Sequence, residues 1–327
     1  MNALSLVTSP VITAADAATV SKYLAASSAP NTQRMYASAW SEFTAWCSAK
    51  GYVSLPATST SVAAFISALA DAGAKPSTIQ LKLSAVSRAH KLHAETLPED
   101  ERRQFANPVT SPIVGSAMKG IRRTLRTVKT QKDAISPNEL KKMLVTIADD
   151  VQGKRDRAMI LLGFAGAFRR SEIVGLDVAD IKLGPDEVTV TLRTSKTDQE
   201  GQGYTKMISC SDTRLLCPVT AVREWLKIVK TGPLFQGVSK RGLPTGERLT
   251  AQVIALRIKH YAAAIGLDPT RLAGHSLRSG FITSAYQAGV SEGDIAAVSG
   301  HANMGVMRGY NRSKAANQTR AVKAVLR

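Results

Sequence analysis

Aromatic residues mark one face of the first strongly patterned stretch: Tyr36, Trp40, Phe43 and Trp46 stand at i, i+4, i+7 and i+10. That is the repeat of an amphipathic helix, with Asn31 available as N-cap and Gly51 as the stop. A second helix is expected from about Ser59 to Ala72, burying Val62, Phe65, Ile66 and Leu69 before Gly73. After Pro76-Ser77 a third carries Ile79, Leu83 and Val86 on one side, with Lys82, Arg88 and Lys91 on its other faces. The chain turns between Pro108 and Pro112, and a short helix follows.

The second half opens on Ser136-Pro137-Asn138-Glu139, a capping box with proline at the first helical position. A helix from Arg157 to Phe168 is apolar almost all round, as at the centre of a domain. The period then changes to two: Val188, Val190 and Leu192 alternate with Thr189, Thr191 and Arg193, and Tyr204 to Ile208 forms a second run. Together they read as a β-hairpin with Lys196 at its turn, in Thr194-Ser195-Lys196-Thr197-Asp198. Helices are expected over about 218–230, 250–265 and 275–288, and Ser291 caps another that ends at Gly300. The pattern predicts a mainly α chain with a small antiparallel β-sheet, ending in a basic amphipathic helix, Ser313 to Arg327.

Charge sharpens the division into parts. From Lys119 to Lys132 stand six basic residues, Lys119, Arg122, Arg123, Arg126, Lys129 and Lys132, with no acidic one, and such a block repels itself unless a polyanion is near. The expected organisation is an N-terminal segment over 1–30, flexible or helical, and a helical domain over 31–118. A basic linker over 119–135 and a second domain over 136–327 complete it. Across 327 residues, 43 Lys+Arg face 25 Asp+Glu, a formal net charge of +18, which points to nucleic acid as partner.

Cys47, Cys210 and Cys217 form no CxxC pair, and His90 and His93 have no cysteine near, so neither a disulfide framework nor a metal site is expected. The longest apolar stretch, Ala158 to Phe168, is too short to span a bilayer, and the first twenty residues lack a basic leader region. The reading is of a soluble protein in a reducing compartment that holds DNA, with no membrane partner.

The chemistry concentrates late in the chain. Gly274-His275-Ser276-Leu277-Arg278, Gly300-His301 and Tyr310 bring imidazoles, a guanidinium and a phenol together in a short segment. A guanidinium forks onto phosphate oxygens, imidazoles move protons near neutrality, and a phenol can be an oxygen nucleophile. Arg169 directly follows the buried helix, and Glu172 beside it could hold its guanidinium.

The ordered set Arg169, Lys196, His275, Arg278, His301 and Tyr310 resembles the tyrosine recombinase (phage integrase) family. The matching stretches are Phe168-Arg-Arg-Ser-Glu-Ile-Val-Gly-Leu176, Ser195-Lys-Thr-Asp198, Gly274-His-Ser-Leu-Arg278 and Gly300-His301, with Tyr310 nine residues later. Asn31-Thr-Gln-Arg-Met35, Trp46-Cys47 and Thr78-Ile-Gln80 give the first domain the flavour of the Cre-like recombinases, without an arm-binding domain.

The resemblance implies a helical core-binding bundle followed by a mixed α/β catalytic domain, and site-specific strand exchange on double-stranded DNA through a 3′-phosphotyrosyl intermediate. It implies Tyr310 as nucleophile, Arg169 and Arg278 as phosphate clamps, and Lys196 as general acid. His275 would orient or deprotonate the tyrosine, and His301 would donate to the phosphate. No cofactor is required. A homotetramer on synapsed, inverted-repeat sites, a Holliday junction, a docking role for helix 313–327 and a nucleoid location follow from the same resemblance. A type IB topoisomerase and a DNA-binding regulator with a dead site are the rival readings.

Overall fold

The computed structural model describes residues 30–126, 132–193, 203–301 and 303–310. The N-terminal segment, Lys129, Lys196 and the helix expected over 313–327 lie outside the described residues. The chain divides into two compact units, Met1–Lys129 and Thr130–Arg327.

Helices α1 (Pro30–Lys50), α2 (Ser59–Asp71), α3 (Pro76–Thr96), α4 (Glu99–Gln104) and α5 (Pro112–Leu125) build the first unit. Its core joins Phe43 and Cys47 to Phe65, Ile66, Ile79 and Val86, with Trp40 and Trp46 packed at the margin. Of the aromatic stripe read from the sequence, Phe43 is core and meets Phe65 edge to face at 5.0 Å, Trp40 and Trp46 cover its margin, and Tyr36 lies outside it on a surface groove. His90 is buried there; its Nε2 accepts from the Ala57 amide at 2.9 Å, so Nδ1 carries the proton and donates to Val86 O at 2.8 Å. Burial pushes its pKa down, favouring this neutral tautomer.

The second unit surrounds helix α7 (Val151–Ala165), whose residues 158–163 are all buried. Helix α6 (Pro137–Val145) begins with the expected capping box, Ser136 Oγ accepting from the Glu139 amide and Glu139 Oε2 from the Ser136 amide at 2.7 Å. After the one-and-a-half-turn helix α8 (Arg170–Gly175), strands β1 (Ile181–Leu183), β2 (Glu187–Leu192) and β3 (Tyr204–Ser209) form an antiparallel sheet in that order. Val188, Val190 and Leu192 are its buried row, as the alternation predicted. Helix α9 (Pro218–Leu226) is followed by the short hairpin β4 (Gln236–Val238) and β5 (Pro244–Arg248), then α10 (Ala251–Ala264) and α11 (Ser276–Gln287). Helices α12 (Glu292–Ser299) and α13 (Met304–Arg308) close the described chain.

Asp156, fully buried on α7, has partners from two elements: its own neighbour Arg155 at 2.7 Å, and Arg257 and Tyr261 of α10 at 3.0 and 2.7 Å. Arg155 also donates to Gln236 O at 3.2 Å, so one compensated carboxylate ties α7 to α10 and β4.

Three departures from the sequence reading have physical causes. The basic stretch expected as linker from residue 119 is helical through Leu125, because Val114, Met118 and Ile121 bury one face while Lys119, Arg122 and Arg123 stay exposed on the others. The central helix begins and ends earlier than Arg157–Phe168, capped by Asp150 on the Gly153 amide at 2.6 Å and broken by a turn at Gly166–Phe168. Strands β4 and β5 lie between the helices expected over 218–230 and 250–265, where no strand was expected, each being too short to show a period. Among the described residues no helix is long and apolar enough to cross a membrane.

Residues 133–135 lie along the start of α11, Ile135 N donating to Ser276 O at 3.1 Å. Gly280 makes that approach possible, since a Cβ there would stand 2.1 Å from Ile135 O. Gly280→Ala is expected to destabilise by about 2 kcal/mol, an overpacking cost that outweighs the gain in helix propensity. Urea unfolding checks it, and an unchanged midpoint would refute the contact.

Candidate functional site

Five of the six residues singled out in the sequence are described, and all five line one cleft of about 560 Å³: Arg169, His275, Arg278, His301 and Tyr310, joined by Arg170, Ser171 and Asn303. Lys196 lies outside the described residues.

Arg169 stands at the N-cap of α8. Glu172 accepts from its backbone amide at 2.8 Å and from its Nη1 at 2.6 Å, so one carboxylate fixes both backbone and guanidinium. The structural role given to Glu172 from the sequence is what the geometry displays. His275 is the residue before α11 and is exposed to the cleft. The adjoining Gly274 lies under Arg170, whose Cδ would be 1.7 Å from any Cβ.

Arg278 is the deepest of the set, 1 % exposed. Its Nη1 donates to Ala167 O at 2.7 Å and Ser299 O at 2.6 Å, and its Nη2 reaches the His301 ring at 3.0 Å. Burial, then repulsion from Arg169, lowers its pKa to about 10, which still leaves it charged at neutrality. The Tyr310 side chain nearby works against that fall.

His301 follows Gly300, which closes α12 in the left-handed region at φ +66°. A guanidinium offers only donors, so the ring, with Nε2 at 3.0 Å and Nδ1 at 3.2 Å from Nη2, accepts from Arg278, and Nδ1 is also hydrogen-bonded to Ser299 Oγ at 2.7 Å. Burial and the charges of Arg278, Arg169 and Lys206 lower its pKa to about 4, so the ring is neutral near pH 7.

Tyr310 packs against a small cluster of Ile282, Ala285, Ile295 and Met307, with the His301 ring 5.4 Å away. Its backbone carbonyl accepts from Thr283 Oγ1 at 3.0 Å. The short α13 before it is held by Arg308, which grips both Glu292 oxygens at 2.8–3.0 Å.

Sequence reading missed Lys206. It is 5 % exposed on β3 and donates to Gly166 O at 2.6 Å. Burial lowers its pKa to about 7, Glu172 opposing the shift and Arg278 and Arg169 adding to it. Alternation was the available signal: Lys206 shares the inward phase of β3 with buried Ile208, a position where an ammonium is out of place.

The basic residues of the first unit separate into groups. Lys82 is ion-paired to Glu42. Arg88 and Lys91 line a shallow groove with Tyr36 and Gln80, and Arg122 donates to Gln80 Oε1 at 2.7 Å. Lys119, Arg123 and Arg126 are exposed. Lys132, in the second unit, donates to Thr270 O at 2.5 Å.

Residues 133–317 match the model of the phage integrase family. The chain is 36 % identical over 265 residues to an integrase/recombinase XerD homologue of Selenomonas ruminantium, covering 80 % of this chain and 75 % of that relative. It is 29 % identical over 170 residues to tyrosine recombinase XerD of Xanthomonas axonopodis pv. citri (strain 306), covering 50 % of this chain and 52 % of the relative, so it spans about half that protein's length. In fold it is similar to the XerH site-specific recombinase bound to palindromic difH substrate (TM-score 0.61, 18 % identity, 83 % of this chain and 73 % of that chain). It is also similar to a lambda integrase dimer bound to a COC′ core site (TM-score 0.58, 16 % identity, 93 % and 78 %). At these identities the structural likeness speaks for the fold alone.

The His301 environment predicts an imidazole that stays neutral down to about pH 4. Because its folded pKa lies below the usual 6.5, the unfolded chain binds more protons between those values, and folding stability falls as pH drops through that window. NMR titration of the ring should give a midpoint near 4, and His301→Gln should flatten the acid limb of stability between pH 6.5 and 4.

Proposed function

The chain belongs to the phage integrase family, and on that premise we propose that it is a site-specific DNA recombinase whose cleft cuts and rejoins strands through Tyr310. The observation that carries this reading is that Arg169, His275, Arg278, His301 and Tyr310 share one cleft, with the His301 ring between the Arg278 guanidinium and the Tyr310 ring.

Tyr310 Oη attacks the scissile phosphorus, a bond forms to the 3′ phosphate, and the 5′ oxygen leaves with a proton. The phosphotyrosine conserves the bond energy for rejoining, when a 5′ hydroxyl attacks and the phenol is released. Arg169 and Arg278 face the non-bridging oxygens, where charge accumulates in the transition state. His275 orients or deprotonates the phenol. His301, neutral in the DNA-free protein, donates a hydrogen bond to the phosphate. Lys196 supplies the proton to the leaving oxygen, a role that rests on the sequence resemblance.

The helical first unit grips duplex DNA through the groove of Arg88 and Lys91 and the exposed face of α5 with Lys119, Arg123 and Arg126. Lys82 contributes less, its charge being matched by Glu42. Two inverted-repeat sites are synapsed in a homotetramer, with a Holliday junction between successive strand exchanges. The last residues, 313–327, dock on a neighbouring subunit, and the protein works at the nucleoid.

Trapping covalent complexes on genomic DNA and sequencing the junctions tests the reading and identifies the site. Tyr310→Phe should bind that site and form no adduct; a persisting adduct would sink the assignment. Arg278→Ala should lower the cleavage rate by about 10²–10³-fold, equivalent to about 2.7–4 kcal/mol of lost transition-state stabilisation. Relaxation of supercoiled DNA without two-site recombination would point instead to a topoisomerase.

A further inference from the structure

We propose that Lys206 is a positioning residue for strand cleavage: from β3 its ammonium holds the Gly166–Phe168 turn so that Arg169 and Arg278 present themselves to one phosphate. The inference rests on the recombinase reading above and deepens it.

Three observations carry it. The first is the turn itself. Ala167 adopts φ +47°, a left-handed conformation that costs a non-glycine residue energy and persists only when its surroundings over-determine it. Two successive carbonyls of this turn are taken by cations from separate elements: Gly166 O by Lys206 of β3 and Ala167 O by Arg278 of α11. Arg169 follows Phe168, so these two bonds set the turn that leads into it, and Glu172 on its amide holds it from the other side.

The second is the placement of β3. Lys206 Nζ lies 4.4 Å from the centre of the Phe168 ring, and two residues earlier the Tyr204 hydroxyl donates to Ala297 O of α12. One face of one strand thus touches the turn before Arg169 and the helix before His301. The same strand is the return arm of the hairpin that carries Lys196 in the sequence.

The third is chemical economy. Lysine is among the residue types least often buried, and an apolar side chain would fill this site without desolvating a charge. The groups facing the ammonium are Glu172 from α8, Arg169 from the turn, Arg278 from α11, and the rings of Tyr204 and Phe168; His301 also feels its charge. Two of the three charged neighbours repel it. With its pKa brought to about 7, the grip on Gly166 O is charge-assisted below neutrality and weakens above it. Nζ points to a backbone carbonyl beneath Phe168, and Lys206 is not among the residues lining the cleft, so it acts through the arginines and not on the phosphate.

The experiment uses the full chain and a nicked DNA bearing the site recovered by adduct trapping. Single-turnover adduct formation is measured at saturating DNA from pH 6 to 8.5 for the wild type, Lys206→Met and Lys206→Arg. The Met variant should bind within about twofold of wild type yet form adduct at least about tenfold more slowly at pH 6, with the gap closing as pH rises through about 7. Arg, charged throughout, should restore part of the rate with a pH-independent ratio to Met. A Met variant within about twofold of wild type at every pH overturns the inference. Should Met fail to fold, the Arg variant decides: a wild-type to Arg ratio that is flat from pH 6 to 8.5 overturns it, and one that falls as pH rises supports it. A wild type that forms no adduct overturns the recombinase reading itself, a result distinct from either.

Discussion

A guanidinium with 1 % of its surface exposed is the constraint on which the second unit depends. Taking the Arg278 charge out of water costs several kcal/mol, and only well-placed acceptors can offset that. Here they are Ala167 O in the turn after α7, Ser299 O at the end of α12 and the neutral ring of His301. The turn after one helix and the last carbonyl of another therefore have to aim inward. Gly300 and the strained Ala167 make those endings possible. The site is the place where helix termination and charge compensation coincide.

This arrangement also explains why the surrounding electrostatics are asymmetric. Around Arg278 and Lys206, Arg169 adds to the positive charge and Glu172 offsets part of it. Burial first, and this excess of positive charge after it, keep His301 unprotonated and loosen the proton on Lys206. An anion entering the cleft would relieve that repulsion, so the DNA-free protein holds electrostatic strain that a phosphate would discharge.

Much of the fold was legible because its signals are local. The Ser136–Glu139 capping box, the alternation in β2 and the aromatic face of α1 each depend on spacing within a few residues, and each appears in the structure. The cleft residues were legible through residue type and order, and five of them do share one cavity. What escaped was non-local. Nothing near Gly166 announces a turn held by a lysine forty residues away, and Lys206 in isolation resembles any surface strand lysine. The basic run after residue 119 misled in the opposite sense: its charge density suggested a linker, whereas the apolar spacing of Val114, Met118 and Ile121 decided the outcome. Where charge and apolar period disagree on a surface helix, water absorbs the charge and the period prevails.

The bond from Thr283 Oγ1 to the Tyr310 carbonyl has a mechanical side. Thr283 stands five residues after Arg278 on α11, so the Tyr310 backbone and the Arg278 guanidinium are tied to one helix. Were a strand joined to Tyr310 as proposed, its pull would pass through this bond into α11 and its packing on α7, and Thr283 would serve as a strain relief for the severed strand.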